Sequence, residues 1–286
     1  MKRASGVLLP IFSLPSPYGI GTMGKEAFRF ADFLKAAGQR YWQILPLGPT
    51  GLGNSPYTAF STFAGNPYLI DLDLLAEDGL LDSDSIAALP WGSNPEKIDY
   101  AALEKNRFRV LYQAYERGFP REREAVQDFV KENTWLPDYA LFMVAKEHFP
   151  GVAWQDWPDK GLRSRDPETL SAFAEQYRDR IRFYEYLQFL FWKQWTVLKT
   201  YVNALGIRLI GDLPIYVAMD SADTWSETQF FALGEDLVPK EVAGVPPDYF
   251  SEEGQLWGNP LYDWEAMKRD GYGWWIRRME GTKKRV

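Results

Sequence analysis

The sequence predicts an α/β fold whose core strands run parallel. Short apolar runs alternate with stretches of helical periodicity, and the second and third runs close on Pro or Gly. The first strand, helix and strand fit within about 40 residues, the size of a βαβ unit, which demands parallel strands. A helical stretch of more than 100 residues then separates the second strand from the third (about residues 71–205).

The elements follow in chain order. Gly6 to Phe12 is a short apolar run and reads as the first strand. Ala27, Phe30, Ala31 and Leu34 fall at i, i+3, i+4 and i+7, one face of a helix, and Gly38 stands where that helix should stop. Tyr41 to Leu47 is the second strand. A loop from Gly48 to about Pro67 carries Tyr57, Phe60 and Phe63, rings unlike those of a disordered linker. From Asp71 to Leu205 the periodicity is helical. Tyr100 to Arg117 repeats apolar residues at helical spacing, and Asp166-Pro167 reads as an N-cap with Pro at the first helical position. The helix it opens is expected to run to Ala204, with an apolar stripe through Phe173, Tyr177, Ile181, Leu187, Phe191, Trp195 and Leu198. Ile207 to Ile210 is the third strand and leads into Gly211-Asp212-Leu213-Pro214. From Tyr216 the text is loop-like and aromatic, and a last helix begins near Trp274. Three parallel strands do not close a barrel, so the core is either a small open sheet or part of a larger one. The expected divisions are 1–70, 71–205 and 206–286.

Composition removes several chemistries. The 286 residues include no cysteine, so disulfides, thiolate metal sites and a cysteine nucleophile are excluded. A single histidine, His148, excludes sites built on several imidazoles. With 32 basic and 39 acidic side chains the net charge is −7, which argues against nucleic acid as a partner. After Met1-Lys2-Arg3 the apolar run is broken by Pro10 and Pro15, so no signal peptide is expected. No run approaches the ~20 apolar residues of a membrane span, and the expected setting is cytoplasmic. The 12 Trp, 16 Tyr and 18 Phe exceed what filling a core of this size usually requires.

Few stretches can carry chemistry. Gly19-Ile20-Gly21-Thr22-Met23-Gly24 fits G-x-G-x-x-G, but no strand runs into its first Gly and the positions about 20 residues on are apolar. A tight loop turning into a helix is the better reading. His148 falls near a helix end, where a cation complements the helix dipole. Asp212 ends an apolar strand, the position from which α/β barrels build their sites. There it either accepts hydrogen bonds from a ligand's hydroxyls or caps its own loop amides, and the strand-end position favours the first. Asp220 and Asp223 follow as candidate caps of the same loop. Tyr57, in Asn54-Ser55-Pro56-Tyr57, and Trp257, in Gly254-Gln255-Leu256-Trp257-Gly258-Asn259, sit among small and amide residues. Each ring either stacks on a sugar or folds back to seal the core.

Longer motifs resemble a known family. Ser13-Leu14-Pro15-Ser16-Pro17-Tyr18-Gly19-Ile20-Gly21 is similar to the N-terminal signature of the amylomaltases, the 4-α-glucanotransferases or disproportionating enzymes of glycoside hydrolase family 77. Trp42-Gln43-Ile44-Leu45-Pro46-Leu47-Gly48-Pro49-Thr50, Ser55-Pro56-Tyr57 and Phe63-Ala64-Gly65-Asn66-Pro67 match in family order. So do Gly211-Asp212-Leu213-Pro214-Ile215-Tyr216-Val217-Ala218, Pro246-Pro247-Asp248-Tyr249-Phe250 and Gly254 to Pro260.

The resemblance implies an incomplete (β/α)8 TIM barrel, about three strands of eight, with the helical insertion between strands 2 and 3. It implies α-1,4-glucans and maltooligosaccharides as partners, no cofactor and no metal. The implied chemistry is a retaining transfer of a glucan segment to a sugar 4-hydroxyl, using a carboxylate nucleophile and a carboxylic acid/base. Tyr57, Asp212 and Trp257 are implied on the donor side, Tyr249 and Phe250 on the acceptor side, and Ser55 as a further substrate-binding residue. The family's nucleophile motif, Arg-Ile-Asp-His-Phe-Arg-Gly, is absent from the sequence, as is any match to its other catalytic carboxylates. No catalytic residue is therefore assigned. The 286-residue chain is expected to be the N-terminal half of such an enzyme, inactive alone and prone to associate through its open sheet edge. A non-catalytic glucan-binding module is the alternative.

Overall fold

The computed structural model describes residues 3–94 and 96–286. Met1 and Lys2, which open the segment read for a leader, lie outside the described residues. Strand β1 (Gly6–Leu8), helix α1 (Lys25–Ala36) and strand β2 (Tyr41–Gln43) form the first unit. The insertion follows as α2 (Leu72–Glu77), α3 (Ser83–Ala87), α4 (Tyr100–Glu132), α5 (Leu136–His148), α6 (Lys160–Ser164), α7 (Pro167–Gln176) and α8 (Arg178–Ala204). Strand β3 (Arg208–Ile210), helix α9 (Ala222–Ser226), strands β4 (Val242–Val245) and β5 (Gln255–Pro260), and helices α10 (Trp264–Arg269) and α11 (Gly273–Arg285) complete the chain.

β1, β2 and β3 form one parallel sheet in that order, so the α/β class and the insertion between β2 and β3 are as the sequence suggests. The strands are shorter than the apolar runs. Pro10, which can donate no ladder hydrogen bond, is followed by a 3-10 turn at Ile11–Ser13, and β2 ends before Pro46. Alternation sorts the sheet faces. Val7, Trp42 and Leu209 share a register row, and Trp42 is fully buried with Phe30 of α1 edge-on to it at 5.0 Å. The next row, Leu8, Gln43 and Ile210, lies on the other face. Leu8 is 53% exposed and Ile210 41%.

In the insertion, Asp71, Asp82, Asp99, Asp159 and Asp166 each cap a helix by accepting from the amide three residues on. The expected single helix from Pro167 to Ala204 is two, α7 and α8, broken at Tyr177. The apolar stripe runs through the break and so gave no sign of it. Buried Arg107 of α4 ties the insertion to the loop after β2 by donating to the carbonyls of Tyr68 (2.8 Å) and Ile70.

Beyond Tyr216 the chain is not all loop. β4 and β5 pair antiparallel, with an irregularity between Val242 and Gly244, and Trp257 lies in β5 rather than in a loop. Beneath them Val217, Phe230, Phe231, Tyr262, Met267 and Trp274 form a second small core. The glycine motif is structural: a Cβ at Gly24 would collide with the Asp71 carboxylate, and one at Gly21 with the backbone of Ile11. Asp71 thus occupies the N-terminal end of α1 and also accepts from Thr22 Oγ1 at 2.5 Å. His148 is the last residue of α5. Its Nδ1 pairs with Tyr177 Oη at 3.0 Å among the rings of Phe149 and Phe173. Among the described residues no helix is long and apolar enough to cross a membrane.

Candidate functional site

The C-terminal ends of β2 and β3 open side by side, and the loops that follow them meet. One is the Gly48–Pro67 segment and the other the Gly211–Ala218 segment. Tyr57 from the first donates its hydroxyl to Asp212 Oδ2 of the second at 2.6 Å, joining positions 155 residues apart. The bond to the carboxylate, with partial burial, pushes the Tyr57 phenol from its ordinary 10.0 up to about 12. Among the described residues Asp212 has no other hydrogen-bond partner, so it does not cap its own loop.

Ser55 makes the turn that presents Tyr57: its Oγ accepts from the Tyr57 amide at 3.3 Å and its carbonyl from the Thr58 amide at 3.2 Å. Below the pair is a cleft lined by Ile44, Leu47, Pro214, Tyr216, Arg278 and Arg285 among others. Its enclosed part measures about 40 Å³, room for about one water and not for a sugar ring. A ring-sized ligand must therefore lie on the open side, where Tyr57 is 45% exposed. Asp212 is the only acidic side chain among the described residues lining this cleft.

Trp257 is 47% exposed and stands 6.5 Å, centroid to centroid, from Tyr216, which lines the cleft. Its Nε1 donates to Gln255 Oε1 at 3.1 Å. Trp257 thus flanks the cleft through Tyr216, and among the described residues no hydrogen bond or ring pair joins it to Asp212 or Tyr57. Tyr249 and Phe250 are 97% and 89% exposed at the tip between β4 and β5, edge-to-face with each other at 5.8 Å. They do not join the cleft. The Asp248 carboxylate holds the tip by accepting from the amides of Phe250 and Ser251, both at 2.9 Å.

Three residues organise this ground: Asp220 and Asp223, which the sequence suggested as caps of the loop after β3, and Arg278, which it did not single out. Asp220 and Asp223 do not cap the loop after β3. Asp220 accepts from Lys146 Nζ (2.6 Å) and from the Trp154 amide (3.1 Å), fastening the insertion. Asp223, buried on α9, accepts from the Thr62 amide (2.8 Å) and Thr62 Oγ1 (2.7 Å), fastening the loop that bears Tyr57. Burial raises the Asp223 carboxyl above the usual range, while the Thr62 bonds and the charge of Arg278 pull it back. Arg278, on α11, is 1% exposed and donates to the carbonyls of Pro214 and Ile215 (3.3 Å to the latter) and to Tyr262 Oη (2.9 Å). All these partners are remote in sequence. A lone Asp or Arg with no local motif gives no warning of them.

Comparison with known proteins adds the following. The glycoside hydrolase family 77 model, described as 4-alpha-glucanotransferase, matches residues 9–286. The 4-alpha-glucanotransferase of Thermus thermophilus is 49% identical over 286 residues, 98% of this chain and 56% of the relative. That of Streptococcus pneumoniae is 46% identical over 287 residues, again 56% of the relative. The chain thus spans little more than half the length of the curated relatives it matches. The solved amylomaltase from Streptococcus agalactiae in complex with acarbose superposes with a TM-score of 0.96 at 45% identity, over 99% of this chain and 58% of that one. The amylomaltase from Corynebacterium glutamicum shares the fold alone, with a TM-score of 0.72 at 22% identity over 97% of this chain and 39% of that one.

Proposed function

The chain belongs to glycoside hydrolase family 77, the 4-alpha-glucanotransferases, and from that premise we propose that it supplies the donor-sugar side of a glucan transfer site. Tyr57 and Asp212 bind the donor glucose of an α-1,4-glucan, with Ser55 holding the turn and Trp257 offering a stacking face. Tyr249 and Phe250 meet the acceptor. The exposed row of Leu8 and Ile210 is the inner face of an incomplete (β/α)8 barrel, of which residues 1–70 and 206–286 carry the strands and 71–205 the insertion. That open sheet is also where copies of the chain associate.

The observation that carries this reading is the Tyr57–Asp212 hydrogen bond. It joins the two family-matched side chains at the ends of adjacent parallel strands, where barrel enzymes bind substrate. An aromatic hydroxyl and a carboxylate side by side suit a neutral polyol: one offers a ring edge, the other accepts from sugar hydroxyls.

Retaining transfer needs two carboxyl groups about 5–5.5 Å apart, one attacking the anomeric carbon and the other protonating the departing O4. The acceptor's 4-hydroxyl then displaces the enzyme carboxylate and gives its proton to the second group. With Asp212 the one acidic side chain among the described residues at the cleft, the 286-residue chain binds glucan and does not transfer it. The same observation favours the second reading, a glucan-binding module with no catalysis of its own.

Calorimetric titration with maltotriose tests binding, and glucose release from maltotriose tests transfer. Binding that weakens about tenfold or more, ~1.4 kcal/mol, in Asp212→Ala is expected, with no glucose released. A chain that ignores maltotriose refutes the donor-site reading. Glucose release by the parent chain refutes the inactivity.

A further inference from the structure

We propose that Arg278 is a positioning residue for the sugar-facing pair, fixing the Gly211–Ala218 segment so that the Asp212 carboxylate meets the Tyr57 hydroxyl. Asp212 does not place itself. Among the described residues its one hydrogen bond is to Tyr57, so its position is inherited from the backbone that follows β3. That backbone is held from beneath. Arg278 donates to the carbonyls of Pro214 and Ile215, two and three residues beyond Asp212. Tyr262 Oη, itself a partner of Arg278, donates to the Ile215 carbonyl at 2.8 Å, and Asn259 Nδ2 to the Val217 carbonyl at 2.8 Å. The Arg278 guanidinium also lies over the rings of Trp274 (5.3 Å) and Trp275 (4.8 Å) of its own helix, which leaves its donors aimed at the loop.

A cation this deeply buried needs compensation, because an unpaired one would be costly. None of its hydrogen-bond partners is a carboxylate. The opposite charge that acts on it is Asp223, which is buried as well and whose oxygens are engaged by Thr62 on the other loop, while buried Arg285 adds a like charge nearby. The two opposite charges therefore sit at the junction of the two loops, one fastening the Tyr57 side and the other the Asp212 side. An apolar side chain of equal volume could fill the Arg278 site. It could not hold two carbonyls and a phenol together in register.

The consequence for glucan affinity rests on the donor-site reading above, but the test does not. It follows the Tyr57 ring resonances through a pH titration of the 286-residue chain, with no sugar present. In the parent chain the Tyr57 midpoint is expected at about 12. In Arg278→Met it is expected to fall toward the ordinary 10.0, in Arg278→Lys to lie between, and in Arg29→Met, at the exposed surface, to stay put. Tyr262→Phe should move it in the same direction by less. An unmoved midpoint in folded Arg278→Met overturns the proposal. If that variant does not fold, Arg278→Lys decides by the same criterion. A midpoint that moves in a chain blind to maltotriose keeps the positioning role and discards the glucan reading. Where the parent binds maltotriose, Arg278→Lys is expected to weaken it several-fold, by analogy with the loss of a charged hydrogen bond.

Discussion

The cleft at the ends of β2 and β3 and the hairpin of β4 and β5 are both rich in rings, yet they are held in opposite ways. At the cleft, Tyr57 is bonded to Asp212, the loop bearing Tyr57 is fastened by Asp223, and the loop bearing Asp212 is fastened by Arg278. Each fastening spans a long stretch of sequence and at least one end is buried. At the hairpin tip, Tyr249 and Phe250 touch each other and are held by short-range hydrogen bonds among Asp248, Phe250, Ser251 and Gly254. Leu256 and Trp257 on β5 are also exposed, at 79% and 47%. A surface fixed before the ligand arrives loses little entropy on binding, whereas projecting rings order as they bind. On the assignment proposed above, the donor side is built to select and the acceptor side to adapt. Their division of labour is open to attack from several directions.

The largest effect is expected at the fastenings. Asp223→Ala frees the Thr62 amide and hydroxyl and leaves Arg278 without its compensating charge, so a loss of about 3 kcal/mol or more is expected in chemical denaturation. A loss below ~1 kcal/mol would mean that the cleft is not held as described.

The next effect lies in the helical scaffold behind the cleft. Glu185 of α8 has its carboxyl raised from 4.5 to about 7 by burial, with Arg182 only partly offsetting it. A raised carboxyl holds its proton longer in the folded state than in the unfolded one. Below about pH 4.5 both states are protonated and there is no penalty. Between pH 4.5 and about 7 the unfolded state releases its proton first, and stability falls by up to about 3 kcal/mol, then levels. Glu185→Gln should therefore stabilise the chain at pH 8 and leave it unchanged at pH 4, as read from thermal melts. Equal effects at both would assign the change to packing instead.

The smallest effect on stability belongs to the projecting rings. Tyr249→Ala and Phe250→Ala are expected to shift the unfolding free energy by no more than ~0.5 kcal/mol, since nothing but their mutual contact is lost. A larger shift would show that the tip is packed and would erase the contrast with the cleft.

Much of the scaffold was legible because burial writes itself as periodicity. Ala27, Ala31 and Leu34 mark α1, and all three are buried. Asp166-Pro167 marks the start of α7 with both cap and first residue in place. Asp212 was legible because an apolar strand ended on a carboxylate. The β4–β5 hairpin was not, because most of Gln255 to Asn259 is exposed and shows no alternation of buried and exposed residues. The break at Tyr177 was hidden by a stripe that continues across it. Asp223 was read as a cap of its own loop and Arg278 was not noticed, because their partners lie 161 and 64 positions away and hydrogen bonds to such distant backbone have no local sequence pattern. The same holds for Trp257, whose ring was legible but whose strand was not.

The preorganised Tyr57–Asp212 pair is tested most directly by a double-mutant cycle on maltotriose affinity, using Tyr57→Phe, Asp212→Asn and the two together. If the pair acts as one unit, the double variant should lose less than the sum of the single losses, with a coupling of about 1 kcal/mol. Strictly additive losses would mean that the two side chains meet the sugar independently, and the site would not be fixed in advance.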